Sequence, residues 1–253
     1  MCIGAFRTLR RSLGAVAAAA LIAGCATEAN HYDPLEPVNR KVDAFNDALD
    51  RALLDPLTKT YRFVTPDPVE GMIGNFFGNI GEINVFVNDL LQGKARNAGV
   101  DLARFVINST LGIFGLFDVA SEMGLERHDE DCGQTLARWG WEHSAYLVLP
   151  VLGPSTVRDL ADPACRTVTD PSFYISLTGL MSAGVSWAIL GLRALNTRAH
   201  ADQAIKLRRE SALDPYVFTR EAWRQNRIYK IYDGHPPQAS TDEDDWDDDF
   251  EDE

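Results

Sequence analysis

Apolar side chains recur every three or four residues along much of the chain, which is the spacing of amphipathic helices. The first run starts near Val38, and we expect Asp55-Pro56 to end it because the residue before a proline disfavours the helical conformation. A second run covers residues 95–111, and from Ala199 onward the sequence is polar but helical in composition. The pattern therefore predicts a chain rich in helices.

Residues 69–92 form a long apolar segment that contains a regular set of glycines. Gly71, Gly74, Gly78 and Gly81 are spaced by three, four and three, so in a helix they share one stripe, where small residues let two backbones approach closely. The apolar side chains around this glycine stripe exceed what one buried face needs. The segment suits either a helix between protein core and lipid or a helix buried in an ordinary core.

No charged residue occurs in the 22 positions from Pro171 to Leu192, a length that could span a membrane. Small residues nevertheless recur there at helical spacing, which a lipid-facing helix does not require. We therefore predict an interfacial helix or helix pair rather than a spanning segment. The hydroxyl-bearing members of this set, which we call the serine stripe, are Ser172, Ser176, Ser182 and Ser186.

The N-terminus has the pattern of an export signal that ends at a lipid-attachment cysteine. Arginines precede an uncharged apolar run, and Leu21-Ile22-Ala23-Gly24-Cys25 follows it. We expect residues 1–24 to be removed and Cys25 to become the acylated N-terminus, with residues 25–32 as a short lipidated tether. An ordinary signal peptide with a chance cysteine is the alternative.

The formal net charge of the chain is −13, and much of the acidity lies in a C-terminal tail. Residues 241–253 include ten acidic side chains and no basic one, which predicts that residues 236–253 are disordered and solvated. The alternative is that this acidic tail docks onto a basic partner. Because nucleic-acid binding requires clustered lysine and arginine, we exclude nucleic acid as a partner.

Two cysteines remain once Cys2 leaves with the signal and Cys25 is acylated. In an exported chain, Cys132 and Cys165 are expected to pair rather than stay free, since that compartment oxidises thiols. The motifs of common catalytic and phosphate-binding sites are missing, so we predict no enzyme activity and no cofactor. The acidic run at residues 128–132 is expected to be a solvated loop, because consecutive side chains rarely converge on one metal ion.

Several short motifs occur in one order behind the lipidation cysteine, and together they resemble the MlaA (VacJ) lipoproteins. They cover most of residues 33–233, so the resemblance is specific. Two positions depart from the pattern: the family commonly has phenylalanine where this chain has Cys132, and proline where it has Ile83. The motifs lie at 33–40 (DPLEPVNR), 75–80 (NFFGNI) with 87–93 (VNDLLQG), 104–112 (RFVINSTLG), 133–136 (GQTL), 149–155 (LPVLGPS) with 158–159 (RD), and 214–216 (DPY) with 220–221 (RE).

The resemblance implies a mainly α fold over residues 33–235. In that fold, a ring-shaped bundle of interfacial helices lies in one membrane leaflet around a central channel. It further implies a lipid-anchored protein in the periplasmic leaflet of the outer membrane, which removes phospholipids from the outer leaflet. The partners implied are phospholipid, a trimeric outer-membrane porin and a soluble periplasmic lipid carrier of the MlaC type. The alternative is a structural lipoprotein that supports a porin without moving lipid, and a lipid-cleaving enzyme ranks third.

The channel would need a polar route for the phospholipid headgroup. Because of its hydroxyl groups, the serine stripe is the candidate for that route, with simple helix packing as the alternative. By family position, residues 132–141 correspond to a hairpin beside the channel. The candidate gate residues there are Gly133, Gln134, Thr135, Leu136, Trp139 and Trp141.

Overall fold

The computed structural model describes residues 27–237. The predicted signal peptide, the acylated Cys25 and all but the first two residues of the predicted acidic tail lie outside this range. Within it the protein is mainly α-helical, which confirms the predicted fold class. The ring arrangement around a channel stays a prediction.

The helices follow one another with short connections. The α-helices are α1 (Glu36–Leu49), α2 (Asp55–Val64), α3 (Asp67–Leu91), α4 (Ala95–Thr110), α5 (Val119–Glu122), α6 (Cys132–Arg138), α7 (Asp162–Thr169), α8 (Pro171–Leu177), α9 (Ala183–His200), α10 (Asp202–Ser211) and α11 (Pro215–Ile231). Strands β1 (Tyr146–Leu149) and β2 (Gly153–Thr156) form an antiparallel hairpin with Tyr146 opposite Thr156. A 3₁₀ turn, Arg158–Ala161, leads from β2 into α7.

The prediction that Asp55-Pro56 ends the first helix is wrong. A π-helical turn, Asp50–Leu54, joins α1 to α2, and Pro56 lies in the first turn of α2. Proline is tolerated at that position because its fixed φ suits the first turn of an α-helix. A residue that is distant in sequence holds this turn in place. Arg198 of α9 donates to both carboxylate oxygens of Asp50, at 2.6 and 3.0 Å.

The long helices α3 and α4 match the segments predicted from apolar periodicity. They pack along each other, and α9 lies against both α2 and α3. The uncharged segment is a helix pair, α8 and α9, as predicted. Gly179, with φ of +73°, belongs to the turn between them. Within residues 27–237, no helix is both long enough and apolar enough to cross a membrane.

Residues 132–141 do not form the expected hairpin. Cys132–Arg138 is the helix α6, which begins because the Asp131 side chain accepts a hydrogen bond from the Gln134 backbone N–H at 2.9 Å. The hairpin of the structure is the β1–β2 pair that follows it. Its residues Tyr146 and Val148 pack with Tyr216 of α11 in a small buried apolar cluster.

The protein distributes polarity in an unusual way: many of its buried side chains are polar or charged, and many large apolar side chains are exposed. Glu82, Asp89, Asp101 and Arg104 are each 2% exposed or less. In contrast, the most exposed large apolar side chains are Leu213, Phe63 (90%), Leu180 (82%), Phe114 (76%) and Trp187 (73%). Large exposed apolar surface marks a site of contact with membrane or protein.

Candidate functional site

A cavity of about 430 Å³ opens beside the middle of α3. One wall is the glycine stripe, since Gly74, Gly78 and Gly81 all border the cavity together with Phe77 and Val85. At Gly78 a Cβ atom would lie 2.7 Å from a guanidinium nitrogen of Arg127. The absence of a side chain therefore lets that guanidinium lie directly against the helix backbone.

The remaining cavity wall is polar, and three of its side chains are arginines: Arg127 from the loop after α5, Arg166 of α7 and Arg193 of α9. The wall also includes one acid, Asp129, and the other polar side chains are His128, Asn196 and Thr197. The Arg193 guanidinium lies over the Phe77 ring, 5.8 Å from its centre. Three guanidinium groups converge on one cavity from three segments that are distant in sequence, which is a suitable environment for an anion.

Each cavity arginine has a carboxylate neighbour but retains donors. Arg127 lies 3.5 Å from Glu82, and Arg193 lies 3.4 Å from Asp170. Burial acts to lower the pKa of Arg166, but the carboxylate of Asp162 outweighs it and raises that pKa. Since a guanidinium has five N–H donors, one carboxylate partner leaves donors for a ligand in the cavity.

The candidate gate residues of α6 lie inside the protein rather than on the cavity wall. Gly133, Gln134 and Thr135 are buried. The Thr135 hydroxyl donates to the Asn88 side chain of α3 at 2.8 Å, and the Gln134 amide donates to the Asp129 carbonyl at 2.9 Å. The Thr135 bond fixes α6 against α3, and the Gln134 bond ties α6 to the loop that precedes it. A gating role for Gly133, Gln134, Thr135, Leu136 and the exposed Trp139 and Trp141 stays a prediction.

A buried ion-pair network anchors the start of α6. Arg227 of α11 donates to both oxygens of Asp131, at 2.6 and 2.7 Å, and to Asp159 at 2.7 Å. Burial alone would raise the pKa of Asp131, but the hydrogen bonds and charge of Arg227 prevail and lower it to about 2. The network joins α6, the 3₁₀ turn and α11.

The serine stripe does not form one continuous face. Ser172 and Ser176 lie on α8, whereas Ser182 caps the start of α9 by accepting from the Val185 N–H at 3.4 Å. Ser186 donates to the Ser182 carbonyl at 3.4 Å. Among residues 27–237, the side chains that line the arginine cavity include none of these four serines.

The acidic run at residues 128–132 is not the solvated loop that the sequence predicts, because Glu130 and Asp131 are buried in ion pairs. Its consecutive side chains do diverge, as expected, and reach five different partners across the fold. His128 contacts Asp101, Asp129 contacts Lys230, Glu130 contacts Lys94, Asp131 contacts Arg227, and Cys132 is joined to Cys165.

Cys132 and Cys165 form a disulfide in the structure, with their sulfur atoms 2.00 Å apart and a sequence separation of 33. The bond joins α6 to α7 next to the cavity residue Arg166. We expect the Cys132→Ser/Cys165→Ser double variant to lose about 3 to 4 kcal/mol of unfolding free energy, because loop closure no longer restricts the unfolded chain. Denaturant unfolding of both proteins measures the loss, and mapping of alkylated, unreduced peptides checks the bond. Two alkylated thiols in the wild-type peptides would contradict the pairing.

Sequence reasoning missed the three cavity arginines. The available signal was the glycine stripe, which was correctly placed on one helix face but was interpreted as a surface for close backbone packing. In fact Gly71 and Gly81 have no atom within 4 Å of an added Cβ, whereas a Cβ on Gly74 would contact Asn196 and His200 and one on Gly78 would meet Arg127. The stripe therefore borders open space and side chains rather than the backbone of another helix.

A helical fold with an arginine-lined cavity and many exposed large apolar side chains is typical of a membrane-associated helical protein. The family model described as MlaA lipoprotein matches residues 31–230. Over 224 residues the chain is 34% identical to the "Intermembrane phospholipid transport system lipoprotein MlaA" of Escherichia coli, with 83% of this chain and 84% of that protein covered. The protein of the same name from Haemophilus influenzae is 31% identical, with 88% of this chain and 90% of that protein covered.

An uncharacterized protein of Rickettsia bellii is 36% identical over 78% of this chain and 75% of its own length. A solved chain from work on the "Structural basis for maintenance of bacterial outer membrane lipid asymmetry" matches with a TM-score of 0.63 and 30% identity, covering 79% of this chain and 98% of that one. The chain therefore belongs to the MlaA lipoprotein family, as the sequence motifs indicated. This is a family of transport lipoproteins and not of enzymes.

Proposed function

We propose that this protein moves phospholipids out of the outer leaflet of the outer membrane and so maintains the lipid asymmetry of that membrane. The observation that carries the proposal is the arginine cavity against the glycine stripe, within a protein that exposes many large apolar side chains. A phospholipid has a phosphate that three guanidinium groups can bind and acyl chains that an apolar surface can accept. The names of the bacterial relatives support the same activity.

The exposed apolar side chains also indicate which part of the protein lies in the membrane. The exposed apolar side chains of α8, α9 and the turn between them include Leu177, Leu180 and Trp187. We propose that these lie among the acyl chains of the periplasmic leaflet, where an interfacial helix buries its apolar face. Acyl chains on Cys25 would hold the first described residues at the same surface.

The protein would hand its lipid to a soluble periplasmic carrier and would associate with a trimeric porin, as the family resemblance implies. A carrier is needed because a phospholipid cannot leave a membrane unassisted without exposing its acyl chains to water. These two partners are part of the proposal. The competing function, a structural lipoprotein that supports a porin, needs no bound lipid.

The arginine cavity provides the test of lipid transport. In strains that carry a single copy of the gene, we expect Arg127→Gln and Arg193→Gln to expose phospholipid in the outer leaflet. The purified variants should retain roughly ten- to hundredfold less phospholipid, since a hydrogen bond to a charged group contributes about 1.5 to 3 kcal/mol. Arg96→Gln is the matched control, because Arg96 is exposed on α4 and does not line the cavity.

Two results would count against this account. Wild-type protein that co-purifies with a porin but carries no phospholipid would favour the structural lipoprotein. A strain with alanine at all four positions of the serine stripe distinguishes the two candidate routes. Loss of lipid asymmetry in that strain, together with normal lipid asymmetry in the arginine variants, would indicate that the headgroup passes along the serines rather than through the cavity.

The lipid anchor has its own test. Cys25→Ala is expected to abolish the lipid-modified mass and to weaken membrane association, because the acyl chains contribute about 0.8 kcal/mol per buried methylene. Mass spectrometry and membrane fractionation measure the two effects. Cys2→Ala, which changes a cysteine inside the predicted signal, should leave both unchanged. Recovery of an unchanged lipid-modified mass from Cys25→Ala would refute the lipidation site.

A further inference from the structure

Three side chains capable of binding a metal converge where α3 and α4 pack beside the loop after α5. They are Asp89 near the end of α3, Asp101 on α4 and His128, and one ligand atom from each lies within 4.8 Å of the others. Asp89 and Asp101 are both 0% exposed. The His128 Nδ1 atom lies 2.8 Å from one oxygen of Asp101.

The carboxylates of Asp89 and Asp101 have few hydrogen-bond donors around them. Within the described part of the chain, neither oxygen of Asp89 and only one oxygen of Asp101 has a hydrogen-bond partner. A buried carboxylate is costly unless it is paired or bound to a metal. An unpartnered, fully buried side chain that faces two other possible ligands therefore indicates a missing positive charge.

The neighbouring cations are engaged elsewhere. Lys94 donates to Glu130 at 2.7 Å and to Asp233 at 2.5 Å. Arg104 donates to Asp118, to Ser121 and to Glu82. Glu82 and Glu130 are themselves buried acids that add negative charge near Asp101. Among residues 27–237, no cationic side chain thus forms an ion pair or hydrogen bond with the Asp89 carboxylate.

We propose that Asp89, Asp101 and His128 bind a divalent cation of the zinc type. Two carboxylates and one imidazole form a ligand set that first-row divalent metals accept, and zinc binds such nitrogen and oxygen ligands in four-coordinate sites. A dication neutralises the two carboxylates, and water or the second oxygen of Asp89 completes a four-coordinate shell. This departs from the sequence-based expectation, which considered only the consecutive residues 128–132.

The position of the site gives it a structural role. His128 stands between Arg127 and Asp129, and all three line the arginine cavity. A metal held by His128 from the loop, Asp89 from α3 and Asp101 from α4 would fix the loop that places the Arg127 guanidinium against Gly78. The site does not depend on the cavity carrying phospholipid, so its test is independent of transport.

A shared proton is the competing explanation. Burial, followed by the neighbouring Asp101, raises the pKa of Asp89 to about 8, so Asp89 could hold a proton at neutral pH and donate it to Asp101. The two explanations differ for Asp89→Asn. The amide imitates the protonated acid and preserves a proton-sharing pair, but it removes a metal ligand.

The experiment uses the full mature chain, purified in detergent without chelator. We expect elemental analysis to find about one zinc ion per chain. After treatment with chelator, added zinc should raise the Tm by several degrees. Asp89→Asn and His128→Ala should each weaken zinc binding at least about 100-fold, the upper end of what loss of an outer-shell partner costs. His235→Ala, an exposed histidine outside the cluster, is the control and should bind zinc as the wild type does.

Two results would overturn the proposal. The first combines two observations. The wild-type protein contains no metal and its Tm does not respond to zinc, and the Asp89→Asn variant is as stable as the wild type; together these would establish the shared proton. The second is His128→Ala protein that binds zinc with wild-type stoichiometry and affinity, which would place the ion elsewhere. If Asp89→Asn does not fold, the wild-type titration and the partly exposed His128 still decide the question.

Discussion

Replacing Arg104 by methionine is expected to lower the free energy of unfolding by about 3 to 5 kcal/mol, the cost of leaving buried charges without their partner. The Arg104 side chain is 1% exposed and donates to both oxygens of Asp118 at 3.1 Å and to Glu82 at 3.3 Å. It also donates to the Leu125 carbonyl at 2.5 Å. One side chain of α4 therefore holds α3, the start of α5 and the following loop.

The loss of Arg104 would leave the buried Glu82 with Arg127, 3.5 Å away and about half exposed, as its remaining ion-pair partner. One oxygen of Glu82 already lacks a hydrogen-bond partner among the described residues, so the loss of Arg104 removes a bond that is not replaced. Denaturant unfolding in detergent measures the effect, with Arg96→Met on the exposed side of α4 as the control. The Arg96 variant should stay within about 0.5 kcal/mol of the wild type, as surface substitutions usually do. Equal losses in the two variants would show that the Arg104 network does not stabilise the fold.

The helices that the sequence predicts well are those whose apolar periodicity is long and local. Helices α3 and α4 were located because each repeats its apolar spacing over several turns. The end of the first helix was misplaced because a distant contact decides it. Arg198 lies 148 residues from Asp50, and no local pattern shows that the two meet at a π-helical turn.

The serine stripe was predicted as one face because helical spacing was assumed to continue through Gly179. That residue adopts φ of +73°, a conformation that ends α8 and belongs to the turn before α9. Residues on the two sides of a turn belong to different helices, so their sequence spacing does not place them on one helix face. The uncharged segment was therefore assigned correctly to a helix pair, while the arrangement of its hydroxyl groups was not.

The arginine cavity could not be assembled from the sequence because its parts are separated. Gly78, Arg127, Arg166 and Arg193 come from three helices and one loop, and only tertiary packing brings them together. The buried acids present a related difficulty. Charged residues are rarely buried unless they are paired, and no local sequence pattern marks Asp89 and Arg104 as buried.

Gly133→Ala is expected to destabilise the protein by about 3 to 5 kcal/mol, because a methyl group there would displace a buried ion pair. The added Cβ would lie 2.0 Å from an oxygen of Asp159 and 2.3 Å from a nitrogen of Arg227. Those two atoms belong to the bond of 2.7 Å between Arg227 and Asp159. Both side chains are tied in place, because Arg227 also donates to both oxygens of Asp131 and the same oxygen of Asp159 accepts from Arg158 at 3.3 Å.

Gly71→Ala provides the matched control for Gly133→Ala on another helix. No atom lies within 4 Å of the Cβ that it would add, so the helix preference for alanine should raise stability by up to about 1 kcal/mol. Thermal unfolding should thus move in opposite directions for the two glycine-to-alanine changes. If Gly133→Ala retains wild-type stability, the Arg227 network is looser than its distances indicate. If it is destabilised as expected, loss of transport in that variant reflects the folding of α6, and only Trp139 and Trp141 remain useful positions for testing a gate.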